Sequence, residues 1–596
     1  MRRKLLRAAA PALALAVCLA TACQTQPAGN TNGKTAQTDA KPPGEKVVGT
    51  RGGNLSYRLS AAPKTFNYAM AADEPTITVA FFLLASRLVE FDHDRQDYAA
   101  ALAESWRRSD DMRSVEVTLR DGLKFSDGQP LTSEDVAFTL RALYDPRVNS
   151  PLFGHAMMIG DRPFEARVLD PRRIVIAFPE PVLVPENYLS NLGVLPRHVL
   201  EPELQKGAFD RAYGLTSDPK SVVTSGKFAV EASAPGERAI LRRNPNYWRK
   251  DSAGNQLPYL DTLTLEVIGD ENNAVARLRQ GELHVYDRLR PADFASLRGG
   301  GQQSAARAYD LGPGLYSDTL WFNLNPGRRA DGQPYVDPAK LAWFADARFR
   351  RAVSHAVDRQ TIARNVWLGL ATPLYGFVAP GNRAWVAADL PRYEYDLERA
   401  RALLREAGFQ TRGTAEAPEL YDARGARVAF TIIAPAGTKT RVDSAAVVQE
   451  DLRKLGMDVS VAPVENAQVN ERVNRSYDYE AVFFGTSPTE PDPSSYDVML
   501  RSSSPQHSWN PKQAAPATDW ERRIDELAAA QAREIDTARR RELFREIQQI
   551  MAEQLPLIPV ASRHIPVAAS PRVGNFRPSP LPPFSLWNAE ELFVRQ

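Results

Sequence analysis

Cysteine is nearly missing from this 596-residue chain: there are two, Cys18 and Cys23, both at its N-terminal end. That excludes a disulfide scaffold or a thiolate zinc site in the body of the protein. Histidine is scarce too, with seven scattered copies, so an imidazole-rich metal cluster has little room. No metal and no cofactor is expected. Neither sign of charge is in excess: 74 Lys and Arg against 72 Asp and Glu leave a net charge of +2, which gives no general basic field for nucleic acid. No stretch reaches 18 uninterrupted apolar residues, so nothing reads as a spanning helix. What remains is 43% hydrophobic and 24% charged, with 45 Pro and 35 Gly. This is the composition of a large globular chain with many turns, at about four domain-sized units.

The N-terminal end carries an export pattern. Arg2, Arg3, Lys4 and Arg7 precede an apolar run over 8–20, and Thr21 and Ala22 lead to Cys23. A short apolar core ending in small residues before a Cys resembles a lipoprotein signal over 1–22, in which the Cys is diacylated and becomes the new N-terminus. Ala20 stands where such signals usually have Leu. Two acyl chains satisfy the two-signal rule for stable anchoring. Residues 23–49 are poor in large apolar side chains and cannot offset their ordering entropy, so they read as a disordered tether. Localisation is therefore expected to be extracytoplasmic (periplasmic), with a lipid anchor to a membrane.

Beyond the tether, short β-branched runs alternate with amphipathic ones, which argues for an α/β fold. Strands are expected over 54–60, 115–119, 167–178, 262–268, 319–323, 428–433, 457–464 and 479–484. Helices are expected over 76–88, 271–279, 348–367, 397–406, 442–455 and 519–553. Thr132, with Asp135 three residues on, is a capping pair for a helix carrying Val136, Leu140 and Leu143. The unit over 428–464 has the strand–helix–strand form of a right-handed crossover.

Patterns for chemistry are weak. The Lys-Thr pair at 439–440 lacks the Gly of a phosphate loop. Asp92, Asp94 and Asp97 lack the sixth-position Gly and twelfth-position Glu of a calcium loop and read as a solvated turn. Neither a zinc-protease helix motif nor a nucleophile elbow is present, and no carboxylate pair stands out. No catalytic residue is assigned, and the chain is not expected to be an enzyme.

A set of segments in fixed order decides the reading. Leu102-Ala103-Glu104-Ser105-Trp106, Leu119 to Gly128 and Pro130 to Val136 closely resemble the family 5 extracellular solute-binding proteins, the oligopeptide-, dipeptide- and nickel-type receptors of ABC importers. Further matches follow in order: Asn244-Pro245-Asn246-Tyr247-Trp248, Leu278 to Glu282, Phe349-Arg350-Arg351-Ala352-Val353, Ala356-Val357-Asp358-Arg359, Leu404 to Phe409, Asp492-Pro493, and Leu555-Pro556-Leu557-Ile558-Pro559. Each is common alone; together they cover roughly residues 50–590.

The resemblance implies a bilobed periplasmic-binding-protein fold of the class II type with an additional inserted domain. Lobe I would take 50–95, 220–310 and 556–596, the inserted domain 96–219, and lobe II 311–555. It implies hinge closure on a solute, with an ABC permease and ATPase as partners and the receptor acting as a monomer. In the peptide receptors, the loop after the strand equivalent to 479–484 carries a Trp and an Asp that pairs with the peptide's α-ammonium. Here those positions are Thr486 and Thr489, with Glu490 and Asp492 close by. A neutral hydroxyl does not replace a desolvated charge partner. Asn323, following strand residues Trp321 and Phe322, lies where the family's cleft is lined, and with Trp321 it completes the expected ligand contacts. Trp343, Trp367, Trp385 and Trp509 are further aromatics suited to stacking. A peptide-like solute is the expected ligand. The alternatives are an oligosaccharide or other polar solute, or a structural or signalling lipoprotein that has lost binding.

Overall fold

The computed structural model describes residues 46–159, 162–299, 305–488, 491–504, 506–511 and 513–595. Cys23, the expected signal and all but the last four tether residues lie outside them, as do Thr489 and Glu490.

A long strand, Leu557–Ala569, ties two half-sheets into one sheet of twelve strands among the described residues. Leu557 to Ala561 pair antiparallel with Ser317–Phe322, while Val567 to Ala569 pair with Val285–Asp287 and with Arg307–Pro313. Lobe I continues outward through Asn54–Leu59, Thr262–Val267, Arg238–Arg243 and Phe228–Ala234. Lobe II continues through Ala481–Thr486, Ala429–Pro435 and Asp458–Val464. The backbone thus passes between the two half-sheets twice, at 313–317 and at 561–563, and the passages are bonded together. Ser562 Oγ donates to the Tyr316 carbonyl at 2.8 Å.

The crossover unit of lobe II forms as its pattern predicts. Ala429–Pro435 and Asp458–Val464 run parallel, in register from Ala429↔Asp458 to Pro435↔Val464, bridged by helix Lys439–Arg453. Gly456 ends the connection at φ 86°, where a Cβ would lie 2.8 Å from the backbone of Leu420. Three expectations fail on overlooked caps and turns. The strand over 167–178 is a hairpin, Glu165–Asp170 and Arg173–Ala177, because Asp170 Oδ1 accepts from the N–H groups of Arg172 and Arg173. The helix over 348–367 breaks at Asp358, whose carboxylate caps the next turn through Thr361. The helix over 519–553 is two helices, Asp519–Gln531 and Thr537–Gln554, the second capped by Asp536.

The inserted domain is a four-stranded antiparallel sheet in the order Ala103–Arg108, Ser114–Leu119, Arg173–Ala177, Glu165–Asp170, with helix Ser133–Tyr144 against it. Val115, Val117 and Leu119 alternate inward. The capping box forms, with Thr132 N donating to Asp135 Oδ2 at 2.8 Å. Its core runs without a break into that of lobe I.

The ordered motifs are the joints of this architecture. Asn246 Nδ2 donates to the carbonyls of Phe125 and Ser126, fastening lobe I to the Asp-Gly turn of the inserted domain. The guanidinium groups of Arg120 and Arg249 both lie over Trp248, 4.6 and 4.8 Å from its ring. Arg350 and Arg351 donate to the carbonyls of Gln554 and Glu553, the orphan acceptors at the end of helix Thr537–Gln554. Arg359 is buried and spends its donors on the carbonyls of Leu374, Pro559 and Ser354. Burial lowers its pKa to about 10, and the Tyr375 and Glu394 charges oppose that. Replacing any of these arginines by Lys would leave buried carbonyls unmatched, because one ammonium does not reproduce the fork.

Candidate ligand-binding site

A cavity of about 200 Å³ lies where lobe I, the inserted domain and a lobe II loop meet. Phe81 and Phe82 end the helical segment 74–83, Phe91 and His93 come from the following hairpin, and Tyr98 from its return strand. Pro582, Pro583 and Trp587 come from the C-terminal segment, Leu315 from the crossing between the lobes, and Pro491 from lobe II. The space takes one residue-sized group rather than a whole oligomer, since drug-sized ligands need roughly 300 Å³ or more.

The aromatic wall is braced by cations behind it. Arg87 sits 5.2 Å from the rings of both Phe81 and Phe82, and Arg577 sits 4.8 Å from that of Trp587. Trp587 stacks on His93 at 5.1 Å, and His93 Nδ1 is 2.7 Å from Ser579 Oγ. Burial foremost, then the Arg87 and Lys227 charges, lowers the His93 pKa to about 3 against the pull of Glu90. The ring is therefore neutral at neutral pH, an apolar face with a weak polar edge.

The floor is a chain of ion pairs. Lys227 and Glu590, 3% and 1% exposed, meet at 2.7 Å. Arg249 joins Glu590 at 2.5 Å and Glu90 at 2.9 Å, and Arg87 reaches Glu90 at 3.0 Å. Burial, the largest influence on both carboxylates, would raise their pKa values. The surrounding cations outweigh it and hold both below the usual range. Each of the three cations and two carboxylates has an opposite partner, which is the condition under which ions are tolerated away from water. This floor fixes the geometry of the wall. The wall itself offers aromatic faces for an apolar or planar group.

The residues expected as ligand contacts do not gather here. Asn323 is fully buried, its Nδ2 donating to the carbonyls of Tyr477 and Tyr479 and its Oδ1 accepting from Asn325 N. Trp321 is buried in a lobe II core with Phe377, Tyr479 and Tyr496. Asp492 Oδ1 accepts from Ser494 N, Ser494 Oγ and Arg540 Nη2, so it caps the turn Pro493–Tyr496. Among the described residues, lobe II contributes the preceding Pro491 to the cavity. Thr486 lines a second cavity of about 210 Å³ within lobe II, with Ser317, Phe377, Ser487, Tyr496 and Gln506. Trp343 and Trp509 are also buried and donate to Asp422 and Glu521.

Sequence reasoning missed Phe81, Phe82, His93 and Trp587. The apolar run containing the two Phe residues read as core, and His93 stood inside the Asp92–Asp97 turn weighed for calcium. Asp92 Oδ1 accepts from the N–H groups of Asp94 and Arg95, which is the geometry of a turn.

Comparison with known proteins agrees with this architecture. The family model for bacterial extracellular solute-binding proteins, family 5 (Middle), matches residues 97–508. A probable ABC transporter-binding protein of Deinococcus radiodurans is 29% identical over 412 residues, 67% of this chain and 67% of its own. The oligopeptide-binding protein AppA of Bacillus subtilis is 26% identical over 499 residues, 82% of this chain and 81% of its own. The crystal structure of the ABC transporter substrate-binding protein CtaP of Listeria monocytogenes superposes with a TM-score of 0.72. It does so at 22% identity, over 92% of this chain and 100% of that one. The bilobed sheet with its inserted domain, the motif joints and the family match lead to one conclusion: this chain is a bacterial extracellular solute-binding protein of family 5.

Proposed function

We propose that the protein is the receptor of an ABC importer, taking up a peptide-like solute between its lobes and presenting the closed form to a permease and ATPase. It acts as a monomer, carries out no chemistry on its solute, and is held to a membrane through diacylated Cys23. The observation that carries this reading is the aromatic cavity at the lobe junction, with walls from lobe I, the inserted domain and the Pro491 loop of lobe II. A group bound there touches both lobes, so its affinity differs between open and closed forms, and only such a difference shifts the equilibrium. The peptide reading draws on the oligopeptide-binding relative. The hydroxyl-rich cavity beside Thr486 favours an oligosaccharide as the second reading.

Thermal-shift screening against peptide and oligosaccharide pools tests both. A solute at a hundred times its Kd stabilises the fold by about 2.7 kcal/mol, and one class alone is expected to do so. The absence of a shift with every pool would contradict the receptor reading. For the anchor, C23S is expected to move the protein from the membrane to the soluble fraction.

A further inference from the structure

Three arginines converge beside the two chain crossings, apart from the aromatic cavity. Asp318 stands in register with Gly485 on one neighbouring strand and Ala561 on the other. Arg441, in the first turn of helix Lys439–Arg453, crosses over Gly485 and donates Nε to Asp318 Oδ1 at 2.8 Å. A Cβ at position 485 would overlap its guanidinium group. Arg563, two residues past Ala561, lies on the same side of its strand, 3.6 Å from the ring centroid of Tyr316. From lobe I comes Arg288, paired with Glu74 and set 5.1 Å from the ring of Phe584.

The charges here do not balance. Asp318 serves Arg441, and Glu74, which serves Arg288, is half exposed. The side chain of Arg563 makes no hydrogen bond or ion pair among the described residues, and its Nε is buried without an acceptor. Burial foremost lowers its pKa; Tyr316 and Asp318 oppose the change, and the charges of Arg441 and Arg288 add smaller downward pushes. An arginine cannot shed its proton at neutral pH to escape this environment. The site therefore calls for an anion from outside the chain.

We infer that Arg563, flanked by Arg441 of lobe II and Arg288 of lobe I, is an anion subsite of the cleft, and that the captured solute carries a carboxylate or phosphate group there. The inference rests on the receptor reading and names a property of its ligand. Without an anion, closing the lobes brings like charges together. With one, the planar guanidinium forks meet its oxygens in pairs, and the closed form gains what the open form lacks. The subsite thus couples recognition to closure.

The test uses full-length protein with matched probes: short peptides as free acids and as C-terminal amides, and sugar phosphates beside the unmodified sugars. Thermal shift and calorimetry are expected to show binding of the charged member of a pair at least tenfold tighter than its neutral mate. The type of pair that responds distinguishes carboxylate from phosphate. R563Q should abolish the discrimination without lowering the ligand-free melting temperature, and R563K should restore part of it. R288Q, on the more exposed side, gives the same readout should R563Q fail to fold. Equal binding of charged and neutral mates, or discrimination that survives both Gln variants, overturns the subsite and leaves the receptor reading standing. Failure of every probe to bind wild-type protein overturns both.

Discussion

His93 is neutral in the fold at neutral pH, and this has a measurable cost on acidification. Its ordinary pKa is 6.5 and its folded value about 3. The folded state thus binds fewer protons than the unfolded chain between these values. A group with a lowered pKa contributes stability that is fully present above the unfolded value and is lost as pH falls toward the folded one. At about pH 5 most unfolded chains carry the proton and few folded ones do, which removes about 2 kcal/mol relative to neutral pH. H93Q cannot titrate, and its amide retains a partner for Ser579 Oγ, 2.7 Å from the imidazole in the wild type. Urea unfolding of wild type and H93Q at about pH 7.5 and about pH 5 isolates the residue as a double difference, since all other titrations are shared. The wild type should lose about 2 kcal/mol more than H93Q on acidification. Equal losses in the two proteins would show that burial beside Arg87 and Lys227 does not exclude the proton, and the reasoning would fail.

Further outcomes follow for three other residues. E590Q leaves Lys227 and Arg249 without their shared anion and should cost about 3–5 kcal/mol in urea unfolding at neutral pH; a loss below about 1 kcal/mol would mean the floor is solvated. G485A forces Arg441 away from Asp318 and should cost about 1–3 kcal/mol through the parted hydrogen bond between charged groups; an unchanged urea midpoint would show that the guanidinium finds another partner freely. W587A removes the face stacked on His93. It should weaken solute binding by about tenfold or more, which is about 1.4 kcal/mol, and calorimetry with any solute found in the screens reads this directly.

Fold and site were unequally legible in the sequence. The helix over 397–406 was readable to the residue because Asp396 caps its start and Gly408, at φ 89°, follows its end. The crossover over 428–464 was readable because its apolar runs are separated by an amphipathic one ending at Gly456. Where two helices share a face, as over 519–553, periodicity carried the reading across the Asp536 cap. The motif segments marked the joints between lobes and domain because those joints use residue types with few substitutes, such as Asn246 and Arg359.

The cavity was hidden for a different reason. Phe81, His93, Pro491 and Trp587 are brought together only by the third dimension, and each alone looks like core or turn. Asn323 and Asp492 show the converse, since both side chains are engaged by hydrogen bonds within the chain. Sequence shows a polar side chain near a cleft strand, and it does not show whether backbone groups already satisfy that side chain.

The proposed receptor function requires two lobes that move together about the shared strand Leu557–Ala569 when a solute bridges them. Small-angle scattering of the solute-free and solute-saturated protein measures this motion, with calorimetry on the same samples establishing occupancy. A smaller radius of gyration and a shorter maximum dimension on saturation are the predicted result. Superimposable curves from empty and fully occupied protein would contradict it.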